Sequence, residues 1–138
     1  MIYLDTNLLA RLTLRDDPVQ FQTVLEFILQ PRRYAVSATV LLELVWLLSS
    51  KRIPRDEIIP AVTNLLALPN LYCQDRRAVF AALEGFRQGM DFADALHLAL
   101  CREAEAEAFA TADRALARVA ENLKLLPPVE LVRFPAHD

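Results

Sequence analysis

Short apolar segments with strand-like composition alternate with helical segments along this chain of 138 residues. Such alternation favours an α/β fold, because parallel strands are usually connected by helices that cover the sheet. We therefore predict a three-layer α/β/α sandwich with a mainly parallel central sheet and right-handed crossovers. The expected strands are residues 2–5, 34–36, 71–73, 108–111 and 129–132, and the expected helices are residues 7–14, 18–29, 38–50, 54–66, 76–88, 92–105 and 112–122.

Capping residues mark several of the predicted helix ends. Ser, Thr and Asp side chains accept hydrogen bonds from the free N–H groups of a first helical turn, and glycine favours the backbone conformation that ends a helix. Proline suits the first helical position because it has no N–H to lose. The expected caps are Asp17 before Pro18, Ser37 or Thr39, Asp75, Asp91 and, at a helix C-terminus, Gly89.

The composition fits one compact domain. Hydrophobic residues make up 54% of the chain and there are only two glycines, which argues against disorder. We predict a single domain over residues 1–134 and a frayed tail over residues 135–138. Cys73 and Cys101 lack the spacing of a zinc site or a disulfide framework. With no targeting segment and no apolar run of membrane-spanning length, we expect a cytoplasmic protein without a membrane partner.

Four acidic residues stand alone in, or at the end of, apolar segments. Charged side chains in such settings are rare unless they are paired or bound to metal. No Lys or Arg lies one helical turn from Glu43, so the usual local ion pair is absent there. The four residues are Asp5, Glu43, Asp94 and Asp113.

The predicted topology places these acids near one edge of the sheet. Asp5 and Asp113 directly follow strands, whereas Asp94 and Glu43 lie in the first halves of helices. In a parallel α/β sheet the carboxyl ends of the strands and the amino-terminal turns of the helices meet along one edge, where ligands bind. Carboxylates that converge there without bases repel each other unless a cation is present. Oxygen ligands alone favour Mg²⁺ or Mn²⁺, which suits phosphoryl chemistry.

Four motifs in this order resemble those of the PIN-domain nucleases, specifically the VapC-type toxins of type II toxin-antitoxin systems. They are Leu4-Asp5-Thr6-Asn7, Leu42-Glu43-Leu44-Val45-Trp46, Asp91-Phe92-Ala93-Asp94-Ala95-Leu96-His97 and Thr111-Ala112-Asp113. The resemblance extends over essentially the whole chain. Each motif is weak by itself, but the ordered set is specific.

The resemblance implies a PIN-like fold, a Mg²⁺- or Mn²⁺-dependent endoribonuclease activity, a homodimer and inhibition by a cognate VapB-type antitoxin. It assigns the catalytic and metal-binding roles to the acidic quartet of Asp5, Glu43, Asp94 and Asp113. Asn7 and Thr111 match flanking polar positions that would hydrogen-bond the acids or waters on the metal. Asp91 is expected to cap its helix and could also contact those waters. Water would be the nucleophile, so the products would carry 5′-phosphate and 3′-hydroxyl ends.

Simpler interpretations of the same residues remain open. Asp113 could be a helix N-cap, Asp94 could complement a helix dipole, and Asp5 could begin an Asx-turn. His97 could act as a general base, although packing and a hydrogen bond near the site are favoured. Trp46 is expected in the core, and the less favoured alternative is that it lines a groove for a partner.

Other classes of function remain open as well. A housekeeping nuclease or phosphatase could use the same acidic site, and a non-catalytic binding module could bury the acids in hydrogen-bonded networks. The formal net charge is −3, so any attraction to RNA must come from local patches. Single-stranded RNA or an exposed loop is the expected substrate. The candidate phosphate contacts are Arg32, Arg33, Arg76, Arg77 and Arg114.

Overall fold

The structure is a computed structural model that describes residues 1–136. The chain forms two compact units, Met1–Arg76 and Arg77–Asp138. That residues 1–134 form a single domain therefore stays a prediction. Pro135 and Ala136 have no regular secondary structure, and the rest of the tail predicted to fray, residues 137–138, lies outside the described residues.

The first unit is built on a parallel sheet with strand order β1-β2-β3. Each strand is short, and helices connect the strands as expected for a parallel arrangement. The strands are β1 (Ile2–Tyr3), β2 (Tyr34–Val36) and β3 (Leu71–Cys73), and the helices are α1 (Thr6–Leu14), α2 (Pro18–Ile28), α3 (Ala38–Ser50) and α4 (Arg55–Leu66).

The middle strand β2 lies at the centre of this unit. Tyr34, Ala35 and Val36 have no exposed surface, as expected for a strand with a neighbour on each side. The buried Tyr34 hydroxyl donates a hydrogen bond to the carbonyl oxygen of Phe27, so its polar atom is satisfied. Helix α1 packs against α2 and α3, and α3 packs against α4. Full burial of a large apolar side chain stabilises such a core by about 1.5–3 kcal/mol.

The second unit pairs two parallel strands and packs α7 against them. Its elements are α5 (Arg76–Arg87, which begins at the last residue of the first unit), α6 (Phe92–Glu103), β4 (Phe109–Thr111), α7 (Arg114–Asn122) and β5 (Val129–Leu131). The rings of Phe86 and Phe92 meet edge-to-face with centroids 6.0 Å apart. Gly85 allows a close approach of α5 to α6, because a Cβ atom there would lie 3.1 Å from Ala95 Cβ.

The predicted α/β class with parallel strands is confirmed, and the predicted elements occur with ends that differ by only a few residues. Asp17, Ser37 and Asp91 cap their helices as expected, and Gly89 follows α5 with φ 104°. The cap predicted at Asp75 is wrong. Its φ is 56°, a left-handed conformation that Asp tolerates but that differs from the extended backbone of an N-cap. No helix within residues 1–136 is both long and apolar enough to cross a lipid bilayer.

Candidate active site

Asp5 is held at the point where β1 leads into α1. The N–H of Leu4 donates to the carbonyl of Ala35, which continues the pairing of β1 with β2 up to this point. Asp5 then caps α1, and its Oδ1 accepts a 2.7 Å hydrogen bond from the N–H of Thr6. The side chain is exposed. Asp5 can cap α1 and still be a metal ligand. Its Oδ1 makes the cap hydrogen bond, which orients the side chain, and its Oδ2 has no hydrogen bond within the described chain.

Thr6 was not among the residues selected from the sequence. It is the buried polar residue of the described chain, at 8% exposure, and its hydroxyl has no hydrogen-bond partner there. An unsatisfied buried hydroxyl is costly. Its position directly after Asp5, inside an apolar segment, was the sequence signal. Asn7, predicted to flank the acids, is exposed in the first turn of α1.

Glu43 lies on the exposed side of α3. Ser37 caps this helix, and Leu41, Leu44, Val45 and Leu48 form its buried side. The apolar sequence therefore does not bury the carboxylate. Trp46, which was expected in the core, is 70% exposed, so that prediction is wrong. The buried side of α3 is already occupied by leucine and valine, and Trp46 lies three residues from Glu43, on the same side of the helix.

Asp94 is the half-buried acid of the second unit. It lies in the first turn of α6, and its backbone N–H donates to Asp91 Oδ1 at 3.1 Å. Burial raises the pKa of Asp94, and the negative charges of Asp91 and Asp113 raise it further, while His97 opposes them. Within the described chain the Asp94 carboxylate has neither a hydrogen-bond donor nor an ion-pair partner. Within the described residues His97 is thus the group that opposes the neighbouring negative charges, and no Lys or Arg pairs with Asp94.

Asp113 caps α7 immediately after β4. Its Oδ1 accepts a 3.0 Å hydrogen bond from the N–H of Leu116, and its own N–H donates to Thr111 Oγ1 at 3.1 Å. The N-cap interpretation is therefore correct as a local description. The Thr111 hydroxyl thus contacts the backbone of Asp113, and its predicted hydrogen bond to the acids or to waters on a metal stays a prediction.

His97 is exposed and stacks on Phe109, with ring centroids 6.2 Å apart and an interplanar angle of 12°. This is the packing role that was favoured for it. This contact packs α6, which contains Asp94, against β4, which precedes Asp113.

In the second unit, Asp94 interacts electrostatically with Asp91 and Asp113. Both of these negative charges raise the pKa of Asp94. Within residues 1–136 it does not assemble three or more His, Cys, Asp or Glu side chains as a ready-made metal site. The carboxylates still fit a hard divalent ion chemically, because their donor atoms are all oxygens and no described Lys or Arg pairs with Asp94. The assignment of an ion to the four acids selected from the sequence stays a prediction.

The arginines selected from the sequence have different environments. Arg32 lies over the rings of Phe27 and Tyr34, with its Cζ 5.4 Å and 5.9 Å from the centroids. Arg76 donates to the Leu66 carbonyl oxygen, and Arg77 pairs with Glu103 at 3.7 Å. Arg33 and Arg114 are exposed.

A search of the solved structures found similarity to the crystal structure of Mycobacterium tuberculosis VapC20, a toxin that cleaves the sarcin-ricin loop. The two share 20% sequence identity over 78% of this chain and 86% of that chain, with a TM-score of 0.43. No curated protein matched the chain. The family model of the PIN domain matches residues 2–122. This match confirms the family and the PIN-like α/β/α fold predicted from the sequence: the chain belongs to the PIN domain family.

Proposed function

We propose that this protein is a Mg²⁺- or Mn²⁺-dependent endoribonuclease and the toxin of a toxin-antitoxin pair. Membership of the PIN family supports the nuclease class, and the ordered VapC-type motifs around the four acids support the toxin assignment. The observation that carries the proposal is the Asp94 carboxylate, which is half-buried, has a raised pKa and lies beside further acids without a Lys or Arg partner among the described residues. Such a perturbed acid is typical of a functional site.

The proposed roles follow from what each residue contacts. Asp5, Glu43, Asp94 and Asp113 would bind the ion, and the cap hydrogen bonds of Asp5 and Asp113 would fix their free oxygens. Thr111, Asp91 and Asn7 would orient the acids and nearby waters. A bound Mg²⁺ or Mn²⁺ supplies activation of water and neutralisation of phosphate charge. Water adds to phosphorus in line, the bond to the 3′-oxygen breaks, and that oxygen takes up a proton.

The same proposal includes the partners and the location that the motifs imply. A VapB-type antitoxin would bind the protein and inhibit it, and the active protein would be a homodimer in the cytoplasm. Induced expression should arrest growth. Co-expression of the coding sequence adjacent to this gene should relieve the arrest, as should Asp5→Asn. Unimpaired growth with full expression of the soluble protein would contradict the toxin role.

The enzymatic part is tested with end-labelled single-stranded RNA. Cleavage should require Mg²⁺ or Mn²⁺, stop in EDTA, and leave 5′-phosphate and 3′-hydroxyl ends. Asp5→Asn and Asp94→Asn should abolish cleavage with the circular dichroism spectrum retained. Glu107→Gln is the matched control, because it removes one exposed negative charge from the loop that precedes β4. Cyclic 2′,3′-phosphate ends, or full activity in EDTA, would refute the mechanism.

Parallel assays separate the other classes of function. Single-stranded DNA and a phosphomonoester should be poor substrates if the protein is a ribonuclease. A binding module would cleave nothing and would take up no Mn²⁺ in isothermal titration, with or without Glu43→Gln.

A further inference from the structure

A basic groove runs along α7 in the second unit. Its volume is about 740 Å³. It is lined by α7, by the loop after α7, and by β5 with the residues that follow β5. The residues that matter here are Arg114, Arg118, Lys124, Arg133, Glu121 and Leu126. Four of these side chains are cations and one is an acid, although the chain as a whole carries a net charge of −3. The groove is thus a local positive patch on an acidic protein.

The cations of this groove form no ion pair among the described residues, although the carboxylate of Glu121 lies among them. Arg114, Arg118, Lys124 and Arg133 are all exposed, and none forms an ion pair or a side-chain hydrogen bond within the part of the chain that the structure describes. By contrast, Arg77 and Arg87 of α5 pair with Glu103 and Glu84. The groove cations are therefore available to an external anion.

The placement of two arginines on α7 is unfavourable for the isolated protein. Arg114 and Arg118 are four residues apart, so their positive charges lie on one face of the helix and repel each other. Arg114 is also the first residue of α7, where the helix dipole disfavours a cation. A bound anion that contacts both guanidinium groups would relieve both penalties, and guanidinium groups suit phosphate oxygens.

The groove begins at Arg114, next to the proposed catalytic residue Asp113, and continues along α7. Arg114 directly follows Asp113, and the nine residues of α7 extend for roughly 14 Å at the usual helical rise. Lys124 lies past the far end of the helix. A linear polyanion fits this row of cations better than a single phosphate does. Leu126, which is 55% exposed, adds apolar surface to the groove.

We propose that this groove binds the sugar-phosphate backbone of single-stranded RNA and directs the strand toward Asp113, an inference that rests on the proposed nuclease function. Arg118, Lys124 and Arg133 bind phosphates beyond the cleaved bond. They contribute to substrate affinity and take no part in the chemical step.

The test compares two triple variants that lose the same charge. The groove variant combines Arg118→Gln, Lys124→Gln and Arg133→Gln. The matched control combines Arg52→Gln, Lys51→Gln and Arg102→Gln, which removes two arginines and a lysine that are exposed and outside the groove. Arg114 is left intact because it adjoins Asp113. Thermal denaturation verifies that both variants fold.

Binding of a fluorescein-labelled, unstructured RNA strand is measured in EDTA by fluorescence anisotropy between about 50 and 200 mM salt. Loss of three phosphate contacts should lower the slope of log Kd against log salt by about 2, since each contact to a single strand contributes about 0.7. Kd at the lower salt concentration should rise at least about tenfold for the groove variant and change little for the control. Equal slopes and affinities for the two variants would overturn the proposal.

Hydrolysis of bis(4-nitrophenyl) phosphate with Mn²⁺ distinguishes this inference from the nuclease assignment. The small diester does not reach along the groove, so the groove variant should hydrolyse it at the wild-type rate. An equal loss for the small diester and for RNA would also overturn the groove assignment. A wild-type protein that cleaves neither compound would refute the proposed function, and the anisotropy slopes would then decide on the groove alone.

Discussion

The hydroxyl oxygen of Thr111 accepts a hydrogen bond from the backbone N–H of Asp113, with the two atoms 3.1 Å apart. Thr111 ends β4 and Asp113 caps α7, so this bond closes the turn between strand and helix. The Asp113 carboxylate in turn accepts the N–H of Leu116 at 3.0 Å. The first bond therefore positions the backbone of Asp113, and the second orients its carboxylate.

Thr111→Val should reduce RNA cleavage by about tenfold or more, because residues that orient a metal ligand typically contribute this much. Valine keeps the shape and the β-branching but loses the acceptor oxygen. Thr111→Ser is the control and should keep most of the activity, since its hydroxyl can accept the same N–H. The measurement is the cleavage rate as a function of Mn²⁺ concentration, where Thr111→Val should also need more Mn²⁺. Similar losses in the Val and Ser variants would argue for a packing role instead.

Asp94→Asn should stabilise the metal-free protein at neutral pH even though we expect it to abolish cleavage. The folded protein raises the pKa of this carboxyl above its ordinary value of 3.8, so its charged form is less favourable in the folded state than in the unfolded state. Below the unfolded-state pKa the carboxyl is protonated in both states and does not lower the stability. The stability of the wild type decreases as the pH rises from the unfolded-state pKa through the folded-state pKa.

The melting temperature of Asp94→Asn should therefore exceed that of the wild type at pH 7 in EDTA, and the difference should shrink as the pH approaches about 4. Glu107→Gln, which removes an exposed charge, should track the wild type over the same range. A wild-type protein that is more stable than Asp94→Asn at pH 7 would show that a protein group compensates the charge.

Local signals in the sequence were enough to place the helices and strands. The apolar runs Tyr34-Ala35-Val36 and Leu71-Tyr72-Cys73 are strands with the predicted bounds, because each is a short segment bordered by turn residues. Asp17 and Gly89 marked helix ends through side-chain and backbone chemistry that acts within a few residues. Asp75 failed because Asp tolerates both an N-cap and a left-handed turn, and the sequence does not distinguish them.

The sequence was less informative about which side of a helix is buried. Helix α3 is so rich in apolar residues that it has no clear polar side, and the burial of Trp46 was predicted from its residue type alone. Among the acids predicted from the sequence, Asp94 is partly buried and has a raised pKa, whereas the metal-binding roles of the four acids stay a prediction. The groove along α7 could not be anticipated, because Arg118, Lys124 and Arg133 come together only through the packing of α7 on β5.

Trp46→Ala should change the free energy of unfolding of the protein by less than about 1 kcal/mol, because the side chain is 70% exposed. Leu44→Ala in the same helix is the matched comparison. Leu44 has no exposed surface, so its truncation should cost about 2–5 kcal/mol. Urea denaturation of both variants gives the two values. A cost for Trp46→Ala as large as that for Leu44→Ala would mean that Trp46 is covered in solution.

Gly85→Ala and Gly89→Ala should each destabilise the protein by about 1 kcal/mol, for different reasons. At Gly85 the new Cβ would lie 3.1 Å from Ala95 Cβ, and overpacking of about 1–3 kcal/mol outweighs the gain of up to about 1 kcal/mol in helix propensity. At Gly89 nothing lies within 4 Å of a Cβ, but φ is 104°, a conformation that strains alanine.

A double-mutant cycle with Ala95→Gly separates the two causes. Ala95→Gly removes the nearest atom that the new Cβ meets and leaves Met90 Sδ at 3.3 Å. Its combination with Gly85→Ala should therefore be less destabilised than the sum of the single variants. Its combination with Gly89→Ala should be additive within about 0.5 kcal/mol, because backbone strain does not depend on Ala95. The quantity to measure is the free energy of unfolding of each variant in urea. Additivity in the Gly85 cycle would show that α5 and α6 adjust to the extra methyl group and that their close approach is not needed for stability.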